Sequence, residues 1–139
     1  MSNLTITVIR PVVVLDQFTG PAVEAIAVGQ WCRLDPSTGK VALGKATDLA
    51  EAAPGGMALS AVAAGGAVTV VKAGIVDIGD ALGTINFGAS IYLSDTDGTL
   101  ADGTGTKTKV VGSVEPGWAS TTADRLLRID QADAFTPAG

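Results

Sequence analysis

The segment Gly39-Lys40-Val41-Ala42-Leu43-Gly44-Lys45 has the GxxxxGK spacing of a phosphate-cradling loop. In such a loop backbone N–H groups and the lysine hold phosphates, and a following Ser or Thr hydroxyl reaches magnesium. Ala46 stands where that hydroxyl is needed. A nucleotide loop also needs a long helix behind it, whereas this stretch reads as a β turn and a strand. It is read as two hairpin glycines and two solvated lysines. A second candidate is Asp95-Thr96-Asp97-Gly98, with Asp102 beyond it. Carboxylates at such spacing can hold calcium. The stretch has no third ligand at fixed spacing and no closing bidentate glutamate, and a tight turn selects Asp and Gly without any metal. A third candidate is an aspartic dyad across two related halves, which needs Asp-Thr/Ser-Gly in each. Neither Asp35-Pro36-Ser37-Thr38-Gly39 nor Asp95-Thr96-Asp97-Gly98 has that spacing.

General acid–base chemistry has little to work with. The chain has no histidine, so the usual proton carrier near pH 7 is missing. Its three glutamates, Glu24, Glu51 and Glu115, form no acid pair in the repeat frame described below. The single cysteine, Cys32, excludes an intrachain disulfide and reads as a small buried hydrophobe beside Trp31. No catalysis and no cofactor are expected.

The elements explain what the residues are for. Two stretches 59 residues apart run in parallel: VGQWCRLDPSTGKV from Val28 to Val41, and FGASIYLSDTDGTL from Phe87 to Leu100. Each has a leading glycine (Gly29, Gly88), a strand ending in leucine (Leu34, Leu93), a polar turn and a closing glycine (Gly39, Gly98). The likeness continues with Gly56 over Gly112, Val70-Val71 over Leu126-Leu127, and Lys72 over Arg128. Two pseudo-repeated β units are expected, about residues 25–80 and 81–130, each burying its apolar face on the other.

Short strands at regular spacing with Gly-rich turns predict an all-β fold, a compact β-barrel or sandwich over residues 23–130. Aromatics are 4% of the chain and apolar residues 47%, so Val, Ala, Leu and Ile must fill the core. Residues 4–9, LTITVI, alternate as a strand does. Pro11 marks an edge or break, Val12 to Asp16 is a second extended piece, and Phe18-Thr19-Gly20-Pro21 is read as a turn. Residues 1–22 are therefore read as an extended N-terminal arm, and 131–139 as a loose tail. Thr47 to Gly56 is either a short helical turn or a loop.

The formal net charge of -5 disfavours contact with nucleic-acid phosphate. No basic n-region precedes an apolar run, and no run approaches the roughly 20 apolar residues of a membrane span. No leader, no membrane and no nucleic-acid partner are expected.

The assembled pattern resembles the capsid cement, or head decoration, proteins of tailed bacteriophages. The resemblance covers about residues 25–130. It is carried by Gly29, Leu34, Asp35, Gly39 and Val41; by Gly56, Ala58, Gly65, Gly66, Val68, Val70 and Gly74; and by Gly88, Tyr92, Leu93, Ser94, Gly98, Leu100, Gly112, Leu126 and Ile129. These are turn glycines and strand apolars, which encode a fold more than a site. The resemblance implies a compact all-β, β-barrel or β-tulip-like domain, and a homotrimer, less often a dimer, on the outer capsid surface of the virion, bound to the major capsid protein. In such proteins an N-terminal arm often makes the staple contact. Here Leu4, Ile6, Val8, Arg10, Val12 and Val14 are the expected arm contacts, because an apolar edge needs another chain to pair with it. Deleting residues 1–15 is expected to abolish docking and leave the domain folded. Trp118, after Pro116-Gly117, is a possible loop contact. The alternative is a small carbohydrate- or receptor-binding β module, against which stands the scarcity of aromatic platforms.

Overall fold

The computed structural model describes residues 3–47, 55–83, 85–117 and 125–130. Nine strands are present among them: β1 (Arg10–Pro21), β2 (Trp31–Leu34), β3 (Val41–Leu43), β4 (Gly55–Ala58), β5 (Ala67–Asp77), β6 (Ser90–Leu93), β7 (Leu100–Ala101), β8 (Val110–Pro116) and β9 (Arg125–Ile129). A single 3-10 turn, Gly79–Leu82, follows β5. The strands form one antiparallel sheet in the order β3-β2-β4-β5-β9-β8-β6-β7, with β1 laid along β5.

The sheet curls into a barrel-like half-cylinder. Its two ends are drawn together by backbone bonds from Trp31 N–H to Gly98 O (2.8 Å), Gly98 N–H to Gly44 O (2.6 Å) and Ala46 N–H to Ser94 O (2.8 Å). Curling reduces the exposed edge that an open sheet leaves to solvent.

Several pairings recur along the chain. Cys32 lies opposite Gly56, and Ile91 opposite Gly112. Leu34 faces Val41, and Leu93 faces Leu100. The Gly29 N–H donates to Ala58 O, and the Gly88 N–H to Val114 O. Gly112 has a clear steric role: a Cβ there would collide with the Arg128 carbonyl oxygen across the β8–β9 pair.

Alternation splits the core between two faces. Trp31, Met57 and Val71 point into the larger cluster with Ile91, Leu93, Leu100, Leu127 and Ile129. Their neighbours Cys32, Ala58 and Val70 point to the opposite face, where Ala22, Ile26, Val41 and Val68 join them. Strands β2, β4 and β5 are thus buried on both sides. Among the described residues Trp31 is the one aromatic in either buried set. Its indole Nε1 has no hydrogen-bond partner among the described residues.

Two readings of the N-terminal segment need correction. Phe18-Thr19-Gly20-Pro21 is not a turn. It is the last part of β1, paired in register with Val70, Thr69, Val68 and Ala67. Long-range pairing overrides the local turn chemistry of Gly-Pro, and Pro21 ends the strand where its missing donor costs nothing. Nor is LTITVI a strand of the sheet: Asn3, just before it, bridges Ala101, and the Leu4 N–H donates to Leu100 O (2.8 Å). The predicted alternation is nevertheless real, with Leu4, Ile6 and Val8 half-buried and Thr5 and Thr7 exposed. Of Thr47 to Gly56, Gly55 and Gly56 open β4, and residues 48–54 lie outside the described residues.

Candidate functional site

The strand β1 is twelve residues long and pairs with β5 alone among the described strands. Its far end is covered: Phe18 packs on the second core cluster. Its near end is not. Val12, Val13, Val14 and Leu15 are 45%, 41%, 41% and 68% exposed, four consecutive large apolar side chains in solvent. A single exposed apolar residue needs no explanation, but a contiguous run on an edge strand does.

Local geometry explains why both faces of this run are bare. The register against β5 shifts between Pro11 and Val13 and again between Val14 and Asp16. Val12 and Leu15 are therefore extra residues with no partner opposite them. Opposite Val14 lies Gly74, whose φ is 142° and where a Cβ would collide with the Val13 carbonyl oxygen. The glycine lets the two backbones close, and it offers no side chain to cover the valines.

Charges bracket the strip. Arg10 pairs with Asp77 at 3.6 Å, and Asp77 also accepts the Gly79 N–H at 2.9 Å. At the other end Lys72 pairs with Asp16 at 3.8 Å and stands 6.0 Å from the Phe18 ring centre. The Arg10 and Asp16 side chains are 63% and 60% exposed, so neither pair is sealed from water.

The expected contact residues divide into two groups. Val12 and Val14, with Arg10 beside them, are on the exposed strip. Leu4, Ile6 and Val8 turn inward: Leu4 and Ile6 pack on the main core, and Ile9 behind them is 9% exposed. Leu4 and Ile6, with Val28, Gln30 and Leu100, wall a half-open cavity of about 160 Å³. That is well below the several hundred Å³ of an ordinary small-molecule site. Deleting residues 1–15 would therefore strip core contacts as well as half of β1, and the domain would not survive it intact. Alternation marks Val12 and Val14 and passes over Val13 and Leu15, which are exposed as well. The signal was the unbroken run VVVL, which does not alternate as a half-buried strand must. Trp118 and the tail 131–139 lie outside the described residues.

The candidates for chemistry are engaged otherwise. Lys45 pairs with Asp97 at 3.6 Å, and the Gly44 N–H donates to Trp31 O at 3.0 Å. Asp95 accepts the Thr106 N–H (2.8 Å) and hydroxyl (2.7 Å), and these two bonds hold its carboxyl below its ordinary pKa. Asp35 accepts the Ser37 N–H at 2.8 Å within its own turn. Among the described residues no three His, Cys, Asp or Glu side chains gather as a metal-holding group.

Cys32 is fully buried, and desolvation, with Glu24 nearby adding to it, pushes its thiol up to about 12. Since the thiolate is the reactive form, Cys32 should resist iodoacetamide at pH 8 in the folded protein and react at the ordinary rate in urea. The sign of the linkage follows. Between the unfolded value of 9.0 and about 12 the native state holds the proton and the unfolded state releases it, so stability falls as pH rises through that window. The Cys32→Ala variant should lose that alkaline component of its stability profile. An unchanged profile would assign the component elsewhere.

No family model matches the chain, and no curated protein or solved structure does either.

Proposed function

We propose that this chain is a non-catalytic structural protein that cements the outer surface of a tailed-phage capsid, bound to the major capsid protein. The observation that carries the reading is the β1 strip, an exposed apolar edge strand that stays soluble by being covered in an assembly. The resemblance in turn glycines and strand apolars supports the capsid setting. So do the acidic charge, suited to the outside of a DNA-filled shell, and the curled, doubly buried sheet, which makes a stiff clip. The domain is proposed to be two copies of one β unit. The recurring pairs Cys32–Gly56 and Ile91–Gly112 support this, as do Leu34–Val41 and Leu93–Leu100. Self-association on the shell, as a trimer or a dimer, belongs to the same reading.

Energetics fit a cement. Covering four side chains that are already half-buried yields only a few kcal/mol at about 25 cal/mol per Å². Part of that is lost to immobilisation on binding. A single contact is therefore weak, and a lattice that offers many sites to linked copies multiplies it. Binding to the assembled shell and not to its parts stabilises the shell by mass action.

The test is co-sedimentation with DNA-free shells of the encoding phage, followed by heating of the decorated shells. The protein should pellet at a fixed ratio to the capsid subunit and raise the temperature of shell disruption. Protein left in the supernatant with unchanged shells would overturn the capsid reading.

A further inference from the structure

The β1 strip has a property that its apolar content alone does not require: its charges are self-complementary. The run reads Arg10-Pro11-Val12-Val13-Val14-Leu15-Asp16, with a cation at one end, an anion at the other and Val13 at the centre. The β1 residues that keep a partner in the β5 register are Arg10, Pro11, Val13, Val14 and Asp16, with Val12 and Leu15 bulged between them. An antiparallel pair of two such strands centred on Val13 sets Val13 against Val13, Pro11 against Val14, and Arg10 against Asp16. A shift of one ladder position either way sets Arg10 against Val14 or Gln17 and loses the charge match. Because such an interface is isologous, each favourable opposition occurs twice.

We infer that β1 docks on β1 of a second copy of this chain, antiparallel and in register about Val13. The inference rests on the reading of β1 as a protein-docking strip and names its occupant. Three observations support it. The free edge of β1 meets no other strand among the described residues, so its outward backbone groups are open to a ladder. Val12 to Leu15 are exposed on both faces, as a strand added at this edge would require. The intrachain pairs Arg10–Asp77 and Asp16–Lys72 lie at the two ends of the strip. Docking joins them into two four-charge rows, Asp77–Arg10 of one copy continuing into Asp16–Lys72 of the other. Rows of alternating sign hold together better than isolated surface pairs. The two sheets then continue across the junction.

The charge pattern dictates the experiment. Arg10→Asp leaves two acids facing two acids, and Asp16→Arg leaves two bases facing two bases, so each variant alone should run at the 13.8 kDa chain mass by light scattering. Mixed in equal amounts the two variants become complementary and should form a mixed dimer at twice that mass. The double variant Arg10→Asp, Asp16→Arg should again form dimers alone, as the unaltered chain does. Asp16 is exposed, whereas Arg10 is the ion-pair partner of the buried Asp77, so Arg10→Asp should lose some stability, and circular dichroism must show each variant folded before its mass is read. As an independent reading, Val13→Cys lies on the two-fold axis. There the Cα atoms of an antiparallel pair are about 4.5–5.5 Å apart, within disulfide range. It should cross-link with copper phenanthroline, whereas Leu15→Cys, well off the axis, should not. Dimers in every variant, or failure of the mixed pair to form when the unaltered chain is dimeric, would overturn the register. A monomeric unaltered chain at high concentration would overturn the sister-strand occupant while leaving shell docking to be judged by Leu15→Lys on capsids.

Discussion

Trp31→Ala should lower the unfolding free energy by about 3–5 kcal/mol, the range for removing a large buried aromatic side chain. Trp31 has no exposed surface and, among the described residues, is the one aromatic in either core cluster. It lies opposite Met57 and shares its cluster with Val71, Ile91 and Leu93, on a sheet whose ends are pinned by backbone bonds. Such a frame cannot collapse far into the gap, which puts the cost towards the upper end. A domain of this size has a total stability of about 5–15 kcal/mol, so the variant should be near the threshold of unfolding. Trp31→Phe should cost clearly less, because it keeps most of the volume and removes a buried N–H that has no partner. Urea unfolding followed by circular dichroism measures both. A loss below about 1 kcal/mol for Trp31→Ala would mean that Trp31 does not organise the core.

Leu15→Lys should behave in the opposite way, leaving stability within about 0.5 kcal/mol of the unaltered chain and weakening docking by tenfold or more. Leu15 is 68% exposed and unpaired in the β1–β5 register, so the native fold gives up little when it becomes polar. In a docked strand the lysine would be desolvated beside Pro11 and the valines of the other chain. Lysine on an edge strand is a common natural block to strand addition. Solution mass by light scattering and thermal denaturation, measured on the same preparation, separate the two effects. Equal loss of stability and docking would show that Leu15 belongs to the core and not to a surface.

The contrast between Trp31 and Leu15 marks what the chain reveals before it is folded. Most of strands β2 to β9 were legible because each has a short apolar run closed by Gly, Asp or Pro, and turn chemistry is local; β4 was not, since Gly55 and Gly56 read as a stop and yet open that strand. The burial of Trp31 and Cys32 followed from their strand. What could not be read was β1. Gly20-Pro21 carries a turn signature, yet Gly20 pairs with Val68 some 48 positions along the chain (68 − 20), and no local rule contains that partner. The inward turn of Leu4 and Ile6 was hidden for the same reason, since their seat is made by Leu100 and Val28. The strip was half legible: Val12 and Val14 were picked by alternation, but Val13 and Leu15 are bare because bulges and Gly74 break the regular pleat. The self-complementary charges of Arg10 and Asp16 were in the sequence throughout, and they acquire meaning once β1 is an edge strand.

The most direct test of the docking strip is the solution mass of the full chain by light scattering across a wide concentration range, set beside Val13→Lys. The account predicts a mass that rises above 13.8 kDa with concentration for the unaltered chain and stays at 13.8 kDa for the variant, with both equally folded. The same mass for both proteins at every concentration, whether monomeric or assembled, would contradict it.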